Sequence, residues 1–300
     1  MAALRRAILR WFRERGRDLP WRRSGKPYEI LVSEIMLQQT QVSRVEPKYR
    51  SFLARFPSPR ALARAPLADV LRAWSGLGYN SRAKRLWECA KAIVSRHGSR
   101  VPADAAILRM LPGIGRYTAG AVASFAFGAR EPVVDVNVRR VLSRSLLGLD
   151  GTDELTSWSL ATLSLPRRNA AAWSQALMDV GAQYCRTTPK CDACPARHAC
   201  AFAARQGDAQ ARTSRLNQQG VARQRSGNGR ERFVGSRRFY RGRVVRALTR
   251  ATSLRFAALG EEVKDGFATS DLPWLRELLS DLEREGLIAL DLLGGRAALP

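Results

Sequence analysis

LPGIGRYTAG, residues 111–120, places Pro112 ahead of two glycines that flank one apolar residue, with a run of small residues behind them. The stretch predicts a tight turn that opens a helix. Gly113 and Gly115 let the backbone turn sharply and expose consecutive N–H groups. Those amides, with the N-terminus of the next helix, form a nest for a phosphate. A nest of this kind grips one DNA strand without reading bases. A two-glycine turn between helices also occurs as plain structure, so its context matters.

The context is strongly basic. Across 300 residues, 51 Lys and Arg face 26 Asp and Glu, a formal net charge of +25. Most of the basic residues are arginine. This balance predicts an anionic partner, nucleic acid first, bound through salt-sensitive phosphate contacts. With 45% hydrophobic residues, the chain can build a sizeable core and two or three domains. Its apolar runs fall far short of the ~20 residues of a membrane span, so no membrane partner is expected. The opening MAALRRAILRWFRERGR is amphipathic and lacks an apolar signal region, which predicts a first core helix rather than a secretory leader.

Residues 1–204 show helix after helix between Gly/Pro breaks, with no period-2 strands. YEILVSEIMLQQTQVSRVEPKYRSFLARF carries apolar residues at helical spacing throughout. Residues 205–232 are polar and Arg-rich, which predicts a flexible basic linker. Residues 201–250 hold 13 Arg against Asp208 and Glu231. Residues 233–300 regain apolar patterning. RGRVVRALTR and LPWLRELLSDLEREG read as helices, and LIALDLLGGRAALP as two short strands about a Gly-Gly turn. Two helices and a hairpin predict a small winged-helix-like α+β module.

Four of the five cysteines fall at 185, 191, 194 and 200, with gaps of five, two and five residues. Without a secretion signal, a metal site is favoured over disulfides. Cys185, Cys191, Cys194 and Cys200 could ligate one tetrahedral zinc or one [4Fe–4S] cluster. Zinc ribbons use two CxxC pairs and only one is present, so the spread spacing favours iron–sulfur. His198 lies within the cluster; a basic surface residue is its better reading. Cys89, in a helical pattern, reads as buried core.

These features together resemble the helix–hairpin–helix DNA glycosylases of the endonuclease III superfamily: the LPGIG hairpin, the aspartate of VVDVN, and the four-cysteine cluster closing the helical region. LPWR (19–22), SEIMLQQTQV (33–42) and GLGYNSRAKRL (76–86) narrow the resemblance to the MutY-type adenine glycosylases. It covers residues 8–202. It implies an all-α helix–hairpin–helix core with a [4Fe–4S] loop. It also implies a monofunctional hydrolase of base excision repair, removing adenine mispaired with 8-oxoguanine or guanine in double-stranded DNA. The expected setting is the bacterial cytoplasm, at the nucleoid, as a monomer.

Breaking a glycosidic bond to adenine calls for an acid to protonate the purine and an anion to stabilise the sugar cation. A carboxylic acid in apolar surroundings holds its proton to higher pH and can donate it. By resemblance, Glu34 is that acid, and later the base for the attacking water. Asp135 is the stabilising carboxylate, with Asn137 retained beside it; an aspartate there also suits a helix N-cap. The resemblance assigns Gln38, Gln39 and Tyr79 to probing or wedging the opened duplex, Thr40 to the opposite oxidised guanine, and Arg22 to the neighbourhood of the flipped adenine. Tyr117 occupies the place where lyases of the superfamily carry a Schiff-base lysine.

The chain departs from the family in four places. Val136 follows Asp135 where glycine is usual, Asn80 replaces a second tyrosine, and the first cysteine gap is one residue short. Residues 233–300 are also too few and too helical for the MutT-like domain many relatives carry. The rival readings are a bifunctional endonuclease III-type lyase, another mismatch glycosylase acting on thymine or an oxidised pyrimidine, and a non-catalytic DNA-binding module.

Overall fold

The computed structural model describes residues 1–205 and 233–300. The segment expected as a basic linker lies outside the described residues, apart from Arg205. The described chain divides into two compact units. Unit 1 comprises residues 1–31, 102–110 and 114 onward through the cysteine segment; unit 2 comprises 32–101, 111–113 and the C-terminal residues.

Unit 1 is helical. Helix α1 (Ala2–Arg15) buries Leu4, Ile8 and Trp11, one stripe at helical spacing. α2 (Pro20–Ser24) starts on a proline, which the first turn tolerates. α3 (Pro27–Leu37) begins in this unit and ends in the other. The short α8 (Ala105–Arg109) is capped by Asp104, whose carboxylate accepts from the amides of Ala106 and Ile107. α9 (Arg116–Phe127), α10 (Val136–Leu142), α11 (Glu154–Ser164) and α12 (Ala170–Gln183) complete it. α10 continues through a π-helical turn, Ser143–Leu147. The core joins Leu4, Ile8 and Trp11 to Val138, Leu142, Trp173, Leu177 and Val180. The N-terminal segment is thus a core helix, as its pattern implies.

Unit 2 contains α4 (Val42–Arg55), α5 (Pro59–Arg64), α6 (Leu67–Trp74) and α7 (Ser81–Arg96). Phe52 meets Phe56 and Trp74 edge-on at 5.0 and 6.0 Å. Cys89 is buried here, and burial pushes its thiol up to about 12. That matches its reading as core and makes it inert as a nucleophile. The same unit holds α13 (Arg237–Leu248), β1 (Leu254–Arg255), α14 (Phe256–Val263), α15 (Leu272–Arg284), β2 (Ala289–Asp291) and β3 (Arg296–Ala298). The strands form one antiparallel sheet in the order β1-β3-β2. The expected hairpin is β2–β3, turning at Gly294–Gly295. β1 and α14 add to the expected two helices and hairpin; a two-residue strand is too short to show any period.

The run Tyr28–Phe56, read as continuously helical, is broken. α3 stops at Leu37, Gln39 takes a left-handed backbone (φ 55°), and α4 starts at Val42. The break is held by Arg82 of α7, described below. Among the described residues, no helix is long and apolar enough to cross a membrane.

Candidate active site and cysteine centre

The hairpin forms as its glycines demand. Gly113 has φ 77°, and a Cβ there would lie 2.8 Å from the Cβ of Arg85, so the turn requires glycine. Gly115 is extended and exposed, with open space where a Cβ would stand, and is the N-cap of α9. Arg116 stacks over the Trp158 ring at 3.9 Å, and Tyr117 is half-buried on the first turn.

In unit 1, Asp135 caps α10. Its Oδ1 accepts from the amides of Asn137 (3.0 Å) and Val138 (2.7 Å), and its Oδ2 from the side-chain amide of Asn137 (2.8 Å). The carboxylate is held by three donors at a helix N-terminus, where negative charge is favoured. Arg140 extends the chain of contacts. It donates to Asn137 Oδ1 at 2.8 Å, to the Gly181 carbonyl at 3.0 Å and to the Cys185 carbonyl. Gly181 is needed for this, since a Cβ there would meet Asn137 Cβ at 2.5 Å. Asp135 is therefore joined through Asn137 and Arg140 to the first cysteine. Val136 points outward, 71% exposed, which explains why the family's glycine can be replaced there.

Cys185, Cys191, Cys194 and Cys200 line one small cavity with Arg144 and Phe202. The short first gap closes because the amides of Arg186 and Lys190 both donate to the Tyr184 carbonyl. Arg144 donates to Cys185 Sγ at 3.5 Å, and to the Arg186 and Thr187 carbonyls. Burial opposes the Arg144 charge, but Cys185 and Asp150 outweigh it and hold the group above its ordinary range. Burial pushes the Cys194 thiol up to about 11 and raises Cys191, and the charges of the neighbouring sulfurs act in the same direction. Four thiols facing one cavity repel as thiolates until a cation neutralises them. Among the described residues, no three His, Cys, Asp or Glu gather tightly enough for a single ion. Four sulfurs lining one cavity are the donor type that a zinc ion or an iron–sulfur cluster takes. His198 is exposed and outside the cavity.

Arg22 is engaged within the protein. It grips Asp179 with two bonds, 2.8 and 2.9 Å, and Arg17 donates to the same carboxylate. Asp179 is fully buried; burial alone would raise its carboxyl, but Arg22 and Arg17 hold it below the ordinary range. Asp179→Asn is expected to lower stability by about 3–5 kcal/mol at neutral pH by removing the buried charge that pairs the partly buried Arg22 and Arg17. A depressed folded-state pKa stabilises above the unfolded carboxyl range, near ~4, and loses that contribution as pH falls through the folded value. Urea denaturation from pH 7 to pH 2 should therefore show wild type and variant converging only at the acid end.

In unit 2, Glu34 is 5% exposed, with Ser33, Ile35 and Met36 buried around it in sequence. Gln39 and Tyr79 are both left-handed, φ 55° and 47°. Such strain in non-glycine residues gathers at functional sites. The residue that joins these loops is Arg82. Its guanidinium donates to the carbonyls of Ile35 (3.0 Å), Met36 (2.8 Å) and Gln38 at the end of α3. It also donates to Thr40 Oγ1 (2.9 Å) and the Gly78 carbonyl (3.2 Å), and lies 5.4 Å from the rings of both Trp74 and Tyr79. Burial lowers Arg82 to about 10, with Tyr79 acting oppositely, so it is charged at neutral pH. Arg82 stood in the quoted motif but nothing local marks it. Its acceptors at Ile35, Met36, Gln38 and Thr40 lie more than forty residues away.

Residues 32–159 match the model of the HhH-GPD superfamily base excision DNA repair protein. The adenine DNA glycosylase of Mycolicibacterium smegmatis is 49% identical over 195 residues, 64% of this chain and 67% of that protein. The chain belongs to the HhH-GPD superfamily, and within it to the MutY-type branch. The alignments span about two thirds of the length of the mycobacterial relatives. Among solved structures, a thermostable thymine-DNA glycosylase matches with TM-score 0.63 at 30% identity, covering 67% of this chain and 95% of that one. An endonuclease III trapped on DNA matches with TM-score 0.59 at 23% identity, over 68% of this chain and 95% of that one, which shows the shared fold. The HhH-GPD core thus has the mostly helical, endonuclease III-like architecture expected of it.

Proposed function

We propose that this MutY-type chain is a monofunctional adenine DNA glycosylase of base excision repair, acting on adenine mispaired with 8-oxoguanine or guanine. The observation that carries it is the 49% identity to an adenine DNA glycosylase. Glu34 protonates the purine and afterwards takes a proton from the attacking water. Its burial supports that part, because apolar surroundings favour the neutral, proton-donating acid. Asp135 stabilises the developing sugar cation, its two oxygens held by Asn137 and the first amides of α10. Tyr117 cannot form a Schiff base, so water completes the reaction and the backbone stays intact. The amides at Gly113 and Gly115 hold phosphate. Gln38, Gln39, Thr40 and Tyr79 handle the opened duplex; the strained backbone at Gln39 and Tyr79 supports this. Arg22 acts through Asp179, by fixing the LPWR segment.

Cys185, Cys191, Cys194 and Cys200 would hold a [4Fe–4S] cluster. When bound it cross-links the segment that Arg140 and Arg144 tie to α10, and it supplies structure rather than acid or base. Purified protein is expected to contain about four irons per chain; stoichiometric zinc without iron would overturn this. Arg140→Gln removes the bonds that join Asn137 to Cys185, so kcat should fall about ten- to a hundredfold through misplacement of Asp135, with DNA affinity little changed. Single-turnover excision beside anisotropy titration checks it.

The chain works as a monomer in the cytoplasm at the nucleoid, as three segments: a glycosylase core (1–204), a basic linker (205–232) and a winged-helix-like module (233–300). The order helix, strand, two helices and hairpin supports the last assignment. The direct test is base release from A:8-oxoguanine and A:G duplexes, with alkali to reveal abasic sites. Cleavage without alkali would contradict the monofunctional reading, and no base release from any mispair would leave a DNA-binding module.

A further inference from the structure

Within unit 2, a cleft of about 560 Å³ separates the Gly76–Asn80 loop from α13. Arg44, Arg238, Arg243 and Arg246 line it with Tyr79 and Phe239, and among the described residues no Asp or Glu does. Arg238 donates to Tyr79 Oη at 2.7 Å and lies 5.4 Å from the Tyr79 ring and 5.0 Å from that of Phe233. Tyr79 is thus held from the C-terminal module in its left-handed backbone, 39% exposed. Arg246 is exposed and makes no ion pair among the described residues. Arg44 braces the loop itself, donating to the Gly76 carbonyl at 2.6 Å. Arg243 is anchored to the Glu262 carbonyl and Asp265.

Arginines without carboxylates select a polyanion. Aromatic rings interleaved with them select one that carries flat bases. The volume falls in the range, roughly 300–1,000 Å³, that encloses a small organic molecule, and it suits one nucleotide with its flanking phosphates. We propose that Arg238 and Arg246 of the C-terminal residues add DNA contacts to the Gly76–Asn80 loop, whose Tyr79 is already given to the opened duplex. One strand runs along the cleft with its phosphates against Arg238 and Arg246. The proposal rests on the chain binding DNA, not on which base it removes.

The test is binding of the full chain to a duplex whose target adenine carries a 2′-fluoro group that blocks hydrolysis, titrated from 50 to 300 mM NaCl. Arg238→Ala/Arg246→Ala should weaken binding at least tenfold near physiological salt. It should also reduce the slope of log K against log salt by roughly 2, one for each lost phosphate contact. Arg255→Ala/Arg276→Ala removes the same charge from exposed positions outside the cleft and should leave the slope near wild type. Matching melting curves certify the fold. A double variant with the wild-type slope, or a control pair that loses as much, overturns the proposal. If wild type releases no adenine while the slopes differ as stated, the glycosylase reading fails and the cleft stands.

Discussion

Glu34→Gln should reduce adenine release from an A:8-oxoguanine duplex by about a hundred- to ten-thousandfold, the usual contribution of a positioned general acid. Glutamine preserves the size and polarity of the side chain but has no proton to transfer. Glu34 sits in a seat that is 5% exposed, between residues of α3 that are fully or nearly buried. A near-isosteric replacement is therefore needed, since alanine would add a cavity to the chemical loss. DNA affinity should stay within about threefold, because a buried side chain of this kind is not what attracts the phosphates. Single-turnover excision and anisotropy titration on the same preparations separate the two quantities. A rate loss below about threefold would remove Glu34 from the proton transfer and return it to an ordinary helix glutamate.

Arg82→Ala is the second large effect, and it falls on stability first. The guanidinium ends α3 by taking the carbonyls of Ile35, Met36 and Gln38, groups that a helix C-terminus leaves without intrahelical partners. The same group holds Thr40 and the Gly78 carbonyl. Each buried acceptor left without a donor costs ~1–3 kcal/mol, so the variant should lose on the order of 3–5 kcal/mol. Lysine should not rescue it, since one ammonium cannot span acceptors on two loops as a planar fork does. Thermal melting and amide hydrogen exchange check this: protection should fall at residues 38–40 and 76–80. An unchanged melting temperature with unchanged exchange would show that the loops hold themselves.

The hairpin was legible because its chemistry is local. Gly113 needs a left-handed backbone, a demand written in residues 111–115, whereas the clash that a Cβ would make with Arg85 comes from the fold. The N-cap at Asp135 was legible for the same reason, as were the core stripe of α1 and the helices of residues 237–248 and 272–284. The cysteines announced one site by spacing alone. The break after Leu37 was not legible. Nothing in SEIMLQQTQV ends a helix; the carbonyls are ended from α7, across more than forty residues. β1 and α14 escaped because two residues of strand carry no period and eight of helix carry little.

By itself, the sequence determined which residue types are available: a two-glycine turn, an acid in an apolar helix, four clustered thiols and a large excess of arginine. Tertiary structure alone decided which arginines face solvent and which hold the molecule together. Arg22 and Arg17 close on buried Asp179, Arg140 joins Asn137 to Cys185, and Arg82 fastens the two strained loops. Only the fold brings Arg238 to Tyr79. The physical reason is reach. A glycine acts on its own backbone, whereas a guanidinium acts on whatever carbonyl, carboxylate or ring the fold carries to its planar fork.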